Sequence, residues 1–166
     1  MGARPCEVEP VGVEYLVRAA RVTDIDRVVA LSDASAPMAG AESPLGAADL
    51  MRQLVYLPQA SIVVAEAQRV VVGCAILALR PSVKAGGYVG TIDLLVVDPG
   101  HDADRITATL LEELIRSARN KGCTVVEADR PHSEALARWQ RMGFTDAGPS
   151  IQRNVAATGS APSRHS

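Results

Sequence analysis

Residues 91–111, TIDLLVVDPGHDADRITATLL, hold the densest set of groups that could do chemistry. An apolar run reaches Asp98-Pro99, a polar loop follows, and an amphipathic stretch begins. A strand, loop and helix in this order turn the N–H groups of the helix start outward. With the helix dipole, those groups can bind an anion such as a pyrophosphate. Every strand followed by a helix has such a turn, so the feature alone also fits a plain connection. Asp93 puts a carboxylate into the apolar run, a candidate for proton transfer. By alternation it points away from Ile92 and Leu94, on the face of Leu95 and Val97. It fits equally a carboxylate that faces a wet cleft or pairs with an arginine. His132 follows Asp129-Arg130-Pro131 in a polar segment, where it can touch a ligand or simply start a helix.

Other chemistries lack their residues. His101, His132 and His165 are isolated, which argues against a metal site. Cys6, Cys74 and Cys123 are odd in number and widely spaced, so they form neither a disulfide framework nor a zinc pattern. Cys74 and Cys123 lie in apolar runs and read as small buried hydrophobes. Neither G-x-G-x-x-G nor G-x-x-x-x-G-K-[ST] occurs, which removes the dinucleotide and P-loop readings.

The chain that must position these residues has 166 of them, enough for one domain with its own core. Aromatics are scarce, with one Trp, one Phe and three Tyr, so Val, Leu, Ile and Ala must fill that core. A formal net charge of −2 offers no basic field for nucleic acid. The apolar runs are too short to span a bilayer, and no apolar stretch follows a basic region near the start. The expectation is a cytoplasmic protein without nucleic-acid or membrane partners.

Patterning predicts a loose tail over 1–13, one folded domain over 14–155 and a disordered tail over 156–166. A strand is expected over 15–19, then a helix capped by Thr23 that ends near Ser35. A loop over 34–46 leads to a helix over 47–56, with Leu50, Leu54 and Leu57 on one side. Strands over 61–66 and 70–80 form a hairpin turning at Ala67-Gln68-Arg69, and a central strand follows over 88–97. In 104–120, Ile106, Leu110, Leu111, Leu114, Ile115 and Ala118 recur at helical spacing, and Gly122 ends the helix. A strand over 124–128, a helix over 133–142 ended by Gly143, and a short strand near Ile151 complete the chain. A meander of three strands thus precedes a strand-helix-strand unit. The fold class is α/β in the mixed α+β sense: a central mixed sheet of six to seven strands flanked by about four helices.

On these residues the chain resembles the GNAT superfamily of N-acetyltransferases. Ile92, Leu95, Val97 and Pro99 match its central strand, and Leu110-Leu111 its paired helical leucines. Ala135, Trp139, Gly143 and Phe144 match its last motif, A-x-x-x-Y-x-x-x-G-F. Gly122-Cys123 fits, as does the start, where Val17-Arg18-Ala19-Ala20 leads through Thr23 and Asp26. The resemblance covers about residues 15–153 and implies an acetyl-CoA donor with direct attack by a primary amine. It assigns Asp93 as the base. Glu66, at the end of the second strand, is a weaker candidate that reads more readily as an ordinary surface carboxylate. The resemblance places the pantetheine arm along the backbone of Leu95 and Val97, the pyrophosphate at Arg105, Ile106 and Thr107, and the donor near His132. The acceptor, a small-molecule amine or a protein or peptide, falls to residues 34–56 and 81–87. A homodimer is compatible with the chain, whose oligomeric state the sequence does not fix.

The chain departs from the family where the donor binds. The R/Q-x-x-G-x-G/A loop reads Asp102-Ala103-Asp104-Arg105-Ile106-Thr107. Side chains replace both small residues that let the backbone approach a pyrophosphate. Each carboxylate at ~4–6 Å from a phosphate costs on the order of 1 kcal/mol near a surface, which Arg105 offsets in part by its own phosphate contact. Trp139 stands where the family often has a proton-donating Tyr, and an indole N–H is no acid at neutral pH. These departures motivate an alternative, a catalytically impaired GNAT-like domain acting as a binding or regulatory module.

Overall fold

The computed structural model describes residues 12–35, 46–148 and 150–155. Most of both expected tails and most of the 34–46 loop lie outside the described residues, as does Cys6.

Seven strands form one sheet in the order β1-β2-β3-β4-β5-β7-β6. They are β1 (Leu16–Ala19), β2 (Ala60–Ala67), β3 (Val70–Ser82), β4 (Gly87–Val97), β5 (Cys123–Asp129), β6 (Thr145–Ala147) and β7 (Ser150–Asn154). The helices are α1 (Ile25–Ser35), α2 (Ala47–Leu54), α3 (Ala103–Asn120) and α4 (Ser133–Arg141). Every pairing is antiparallel except β4 with β5. The expected meander is β2-β3-β4, and α3 is the crossover that a parallel pair requires. The single closing strand expected near Ile151 is a pair, with β7 between β5 and β6.

Both faces of the sheet are covered. On one, Ile106, Leu110, Leu111, Leu114, Ile115 and Ala118 of α3 pack with Leu77, Ile92, Val126, Trp139 and Phe144. These six residues are the face that helical spacing marked out. On the other, Ile25, Val28 and Leu31 of α1 and Met51 of α2 pack with Val64, Cys74, Ile76 and Val96. In α2 the buried residue is Met51; of the expected leucine stripe only Leu54 packs against the core, while Leu50 and Leu57 are each 45% exposed. Van der Waals gaps left by small residues fix the spacing under α3. A Cβ on Gly73 would stand 2.7 Å from Ile106 Cγ2 and 3.3 Å from the Val96 carbonyl.

The start of α1 differs from expectation. A 3-10 turn, Val22–Asp24, precedes the helix. Asp24 rather than Thr23 makes the cap: its carboxylate accepts the Arg21 N–H at 2.7 Å. The chain turns here because Arg18 grips the same carboxylate through both Nη atoms, at 2.7 and 3.0 Å. Arg18 Nε also donates to Glu66 at 2.9 Å. A buried aspartate thus ties β1, β2 and the first turn together, which a local capping rule cannot foresee.

Among the described residues, no helix is long and apolar enough to cross a membrane.

Candidate active site

The sheet opens at one place. β4 and β5 run side by side from Tyr88↔Cys123 to Ile92↔Ala128 and then part. β4 continues to Val97, paired only with β3 among the described residues. β5 ends at Asp129, which pairs with Ser150 of β7. The parting lies at the carboxyl ends of two parallel strands, the position where open α/β sheets bind ligands.

A β-bulge sits at the point of divergence. Ile76 pairs with Leu94 and Leu77 with Ile92, so Asp93 is the extra residue. The bulge flips the alternation: Ile92 packs on the α3 face and Leu94 on the α1 face. Leu95 and Val97 return to the α3 face. The expectation that Asp93 alternates away from both Ile92 and Leu94 therefore fails, because a bulge breaks the two-residue period. Asp93 is exposed. No ion pair or hydrogen bond ties it to another described residue.

The loop after β4 is closed upon itself. Asp98 accepts the Gly100 N–H at 2.9 Å on its carboxylate and the His101 N–H at 3.2 Å on its carbonyl. Its other carboxylate oxygen accepts from Arg27 at 3.0 Å. Asp102 caps α3, accepting the Arg105 N–H at 3.2 Å on its carboxylate and the Ile106 N–H at 3.0 Å on its carbonyl. The Asp102 N–H itself donates to the Tyr15 hydroxyl oxygen at 3.2 Å. Tyr15 also stacks edge-on against His101, with ring centroids 5.9 Å apart. The Arg105 guanidinium lies over the Tyr15 ring, 5.1 Å from its centroid, a cation–π contact. Asp104, in the first turn of α3, is ion-paired with Arg138 of α4. That pair joins the two helices that follow the diverging strands.

The remaining expected site residues are scattered by this geometry. Ile106 is wholly buried and Thr107 is 3% exposed, so their side chains belong to the core. His132 is exposed at the N-cap of α4, and its carbonyl accepts the N–H groups of Ala135 and Leu136. Trp139 is buried edge-on against Phe144, with ring centroids 5.0 Å apart. Glu66 is committed to Arg18. Tyr15 and Arg138 escaped the sequence reading. Tyr15 lies 86 positions from the His101 it contacts, and no local pattern joins two such residues.

The two described thiols, Cys74 and Cys123, are both buried. Burial pushes Cys74 up to about 12 and raises Cys123 as well. A thiol that is not ionised is a poor nucleophile.

The sequence profile of the Acetyltransferase (GNAT) family matches residues 25–144. The chain belongs to this family of acetyltransferases, which use acetyl-CoA. Solved structures share the fold. yncA from Salmonella typhimurium, solved with its cofactor acetyl-CoA, superposes with a TM-score of 0.70 at 18% identity, covering 91% of this chain and 99% of that one. An acetyltransferase of Trypanosoma brucei gives 0.65 at 24% identity, over 81% and 95%. A ribosomal-protein-alanine N-acetyltransferase from Brucella melitensis gives 0.67 at 21% identity, over 84% and 99%. No curated protein matches the sequence.

The two halves of acetyl-CoA meet different surroundings here. An extended arm fits the opened edge of β4, where backbone groups lack a strand partner on the β5 side. At the start of α3 the N–H groups of Asp102 and Arg105 have acceptors, the Tyr15 hydroxyl and the Asp102 carboxylate, while those of Ala103 and Asp104 have none among the described residues. The buried Arg138 Nε is likewise without a partner.

Proposed function

We propose that this chain transfers an acetyl group from acetyl-CoA to the primary amine of an acceptor. The observation that carries the reading is the parting of β4 from β5 beyond Ile92, with an unpaired strand edge and the carboxylate of Asp93 at its apex. The chemistry is acyl transfer: a C–S bond breaks, a C–N bond forms, the amine loses a proton and the departing thiolate gains one.

Each residue then has a limited task. The main chain of Leu95 and Val97 holds the donor's arm as an added strand would. Asp93, directly or through a water, takes the amine proton; its exposed, unpaired carboxylate favours that role. His132 lies at the start of α4 beside the end of β5, where it meets the donor from the other side. With an indole at position 139, the thiolate draws its proton from water, and holding the reactants together supplies most of the acceleration. Among the described residues, the acceptor contacts fall to 46–56 and 81–87.

A second reading, a GNAT-like domain that binds without transferring, is favoured by one observation: the buried Trp139 in place of a proton donor. Thermal unfolding with and without saturating acetyl-CoA tests the donor reading. A donor at about 100 times its Kd stabilises by ~2.7 kcal/mol, a rise in Tm of about 5–11 °C for a domain of this size. Absence of any rise refutes it. A rise with no thiol released in the presence of amine acceptors favours the second reading.

A further inference from the structure

We infer that Arg153 and Arg119 form a binding site for a doubly charged phosphate group, free or carried on a small molecule, at the end of the sheet away from the cleft. The site is separate from the donor reading and does not rest on it.

The row in which Arg153 stands is a core row. Along β7 it lies between Ile151 and Val155, which are 0% and 1% exposed, and it pairs across the sheet with the buried Val126. Those three residues belong to the core under α3. By alternation Arg153 therefore sends its stem toward that core and not to the opposite face. The stem crosses the end of α4 at Gly143, where a Cβ would stand 3.2 Å from Arg153 Nε.

A charge so placed calls for a partner. The other half-buried arginines among the described residues each have a carboxylate: Arg18 has Asp24 and Glu66, Arg52 has Asp26 and Asp49, and Arg138 has Asp104. Arg153 has none, and it donates no hydrogen bond among the described residues. Its nitrogens are not sealed off either, since the buried side-chain nitrogen left without a partner is Arg138 Nε. The guanidinium fork is open to a ligand from solvent.

The second cation is Arg119, in the last turn of α3. It donates through Nε to the Val155 carbonyl at 3.0 Å, two residues beyond Arg153. Its two Nη groups meet no carboxylate among the described residues. Burial first, and the Arg119 charge second, lower the Arg153 guanidinium from its ordinary value, while the Glu112 charge acts the other way as the smallest of the three causes. A dianion relieves two like charges held side by side, and guanidiniums match phosphate oxygens in geometry. Along α3, Arg119 is about 20 Å from Arg105 at 1.5 Å per residue, so this anion is remote from the start of the helix.

Calorimetric titration of the full chain with inorganic phosphate, phenyl phosphate and acetate, at constant ionic strength, tests this. Inorganic phosphate should bind saturably at one site, and acetate, with a single charge, about tenfold more weakly. Phenyl phosphate presents the same group on a carrier, and the tighter of the two phosphates identifies the source. Arg153→Met should weaken phosphate binding by about tenfold or more, the loss of a charge-assisted contact. If Arg153→Met does not fold, Arg153→Lys keeps the charge, loses the fork and should still weaken binding. No saturable binding, acetate binding as tightly as phosphate, or full phosphate affinity in the folded variant overturns the inference. Loss of phosphate binding on addition of acetyl-CoA also overturns it, because the anion then sits at the start of α3.

Discussion

At the scale of single residues, Asp93 and Asp24 show how position decides what a carboxylate does. Asp93 is exposed at a bulge and tied to nothing described. If it takes the amine proton, Asp93→Asn should lower kcat about 100-fold, a typical loss for a general base, with the donor KM little changed. Steady-state kinetics with a competent amine checks this. Asp24 is buried, and the Arg18 guanidinium bonded to it holds its carboxyl below the ordinary value of 3.8. A carboxylate depressed in the folded state contributes stability that is fully present above that value and is lost as pH falls through the lower folded one. Arg18→Met leaves this charge buried without its partner, which should cost about 3–5 kcal/mol at neutral pH. Urea unfolding at neutral pH and again below pH 3.8 checks both parts, because the deficit should shrink once Asp24 is protonated.

At the scale of elements, local rules served well where packing agrees with them. The helix of α3 carried its core face openly in Ile106, Leu110, Leu111, Leu114, Ile115 and Ala118, since a 3.6-residue period has one solution against a flat sheet. Gly122 ends it at φ +83°, a conformation only glycine takes freely. The β2–β3 turn was legible as a place but not as a conformation. Gln68 and Arg69 have φ of +50° and +66°, so two side-chain residues occupy a left-handed turn. The flanking strands impose this, because their twist favours the turn whose two central residues are left-handed. Arg69→Gly should relieve about 1 kcal/mol of that strain and raise Tm by about 2–4 °C in a scanning measurement. The cap of α1 was misplaced by one residue because Arg18 recruits Asp24 from outside the helix, and the alternation of β4 was misjudged because a bulge has no marker in its own sequence.

At the scale of the whole molecule, the described sheet parts between the ends of β4 and β5, the opening on which the proposed function rests. Both faces are covered by core, so the opening is a defined gap and not a loose edge. Amide hydrogen exchange should show it. In the free protein, the amides of residues 93–97 that point away from β3 should exchange faster than those of β3, and acetyl-CoA should protect them. Protection confined to the α3 start instead would place donor recognition in the loop, against the arrangement described above.

The order of strands and helices, the apolar face of α3, the burial of Cys74 and Cys123 and the family itself were written in the sequence, because each depends on residues near one another in the chain. The ribbon of residues 91–111 reads from sequence as a candidate place of chemistry. Tertiary structure decided the rest. It made Asp93 a bulge by pairing β4 with β3, set Tyr15 under Arg105 and His101, and brought Arg138 to Asp104. Those contacts join residues tens of positions apart, and side chains that distant carry no periodicity to read. The physical reason is that a loop's free hydrogen-bond donors are counted only after every acceptor in the fold has been placed.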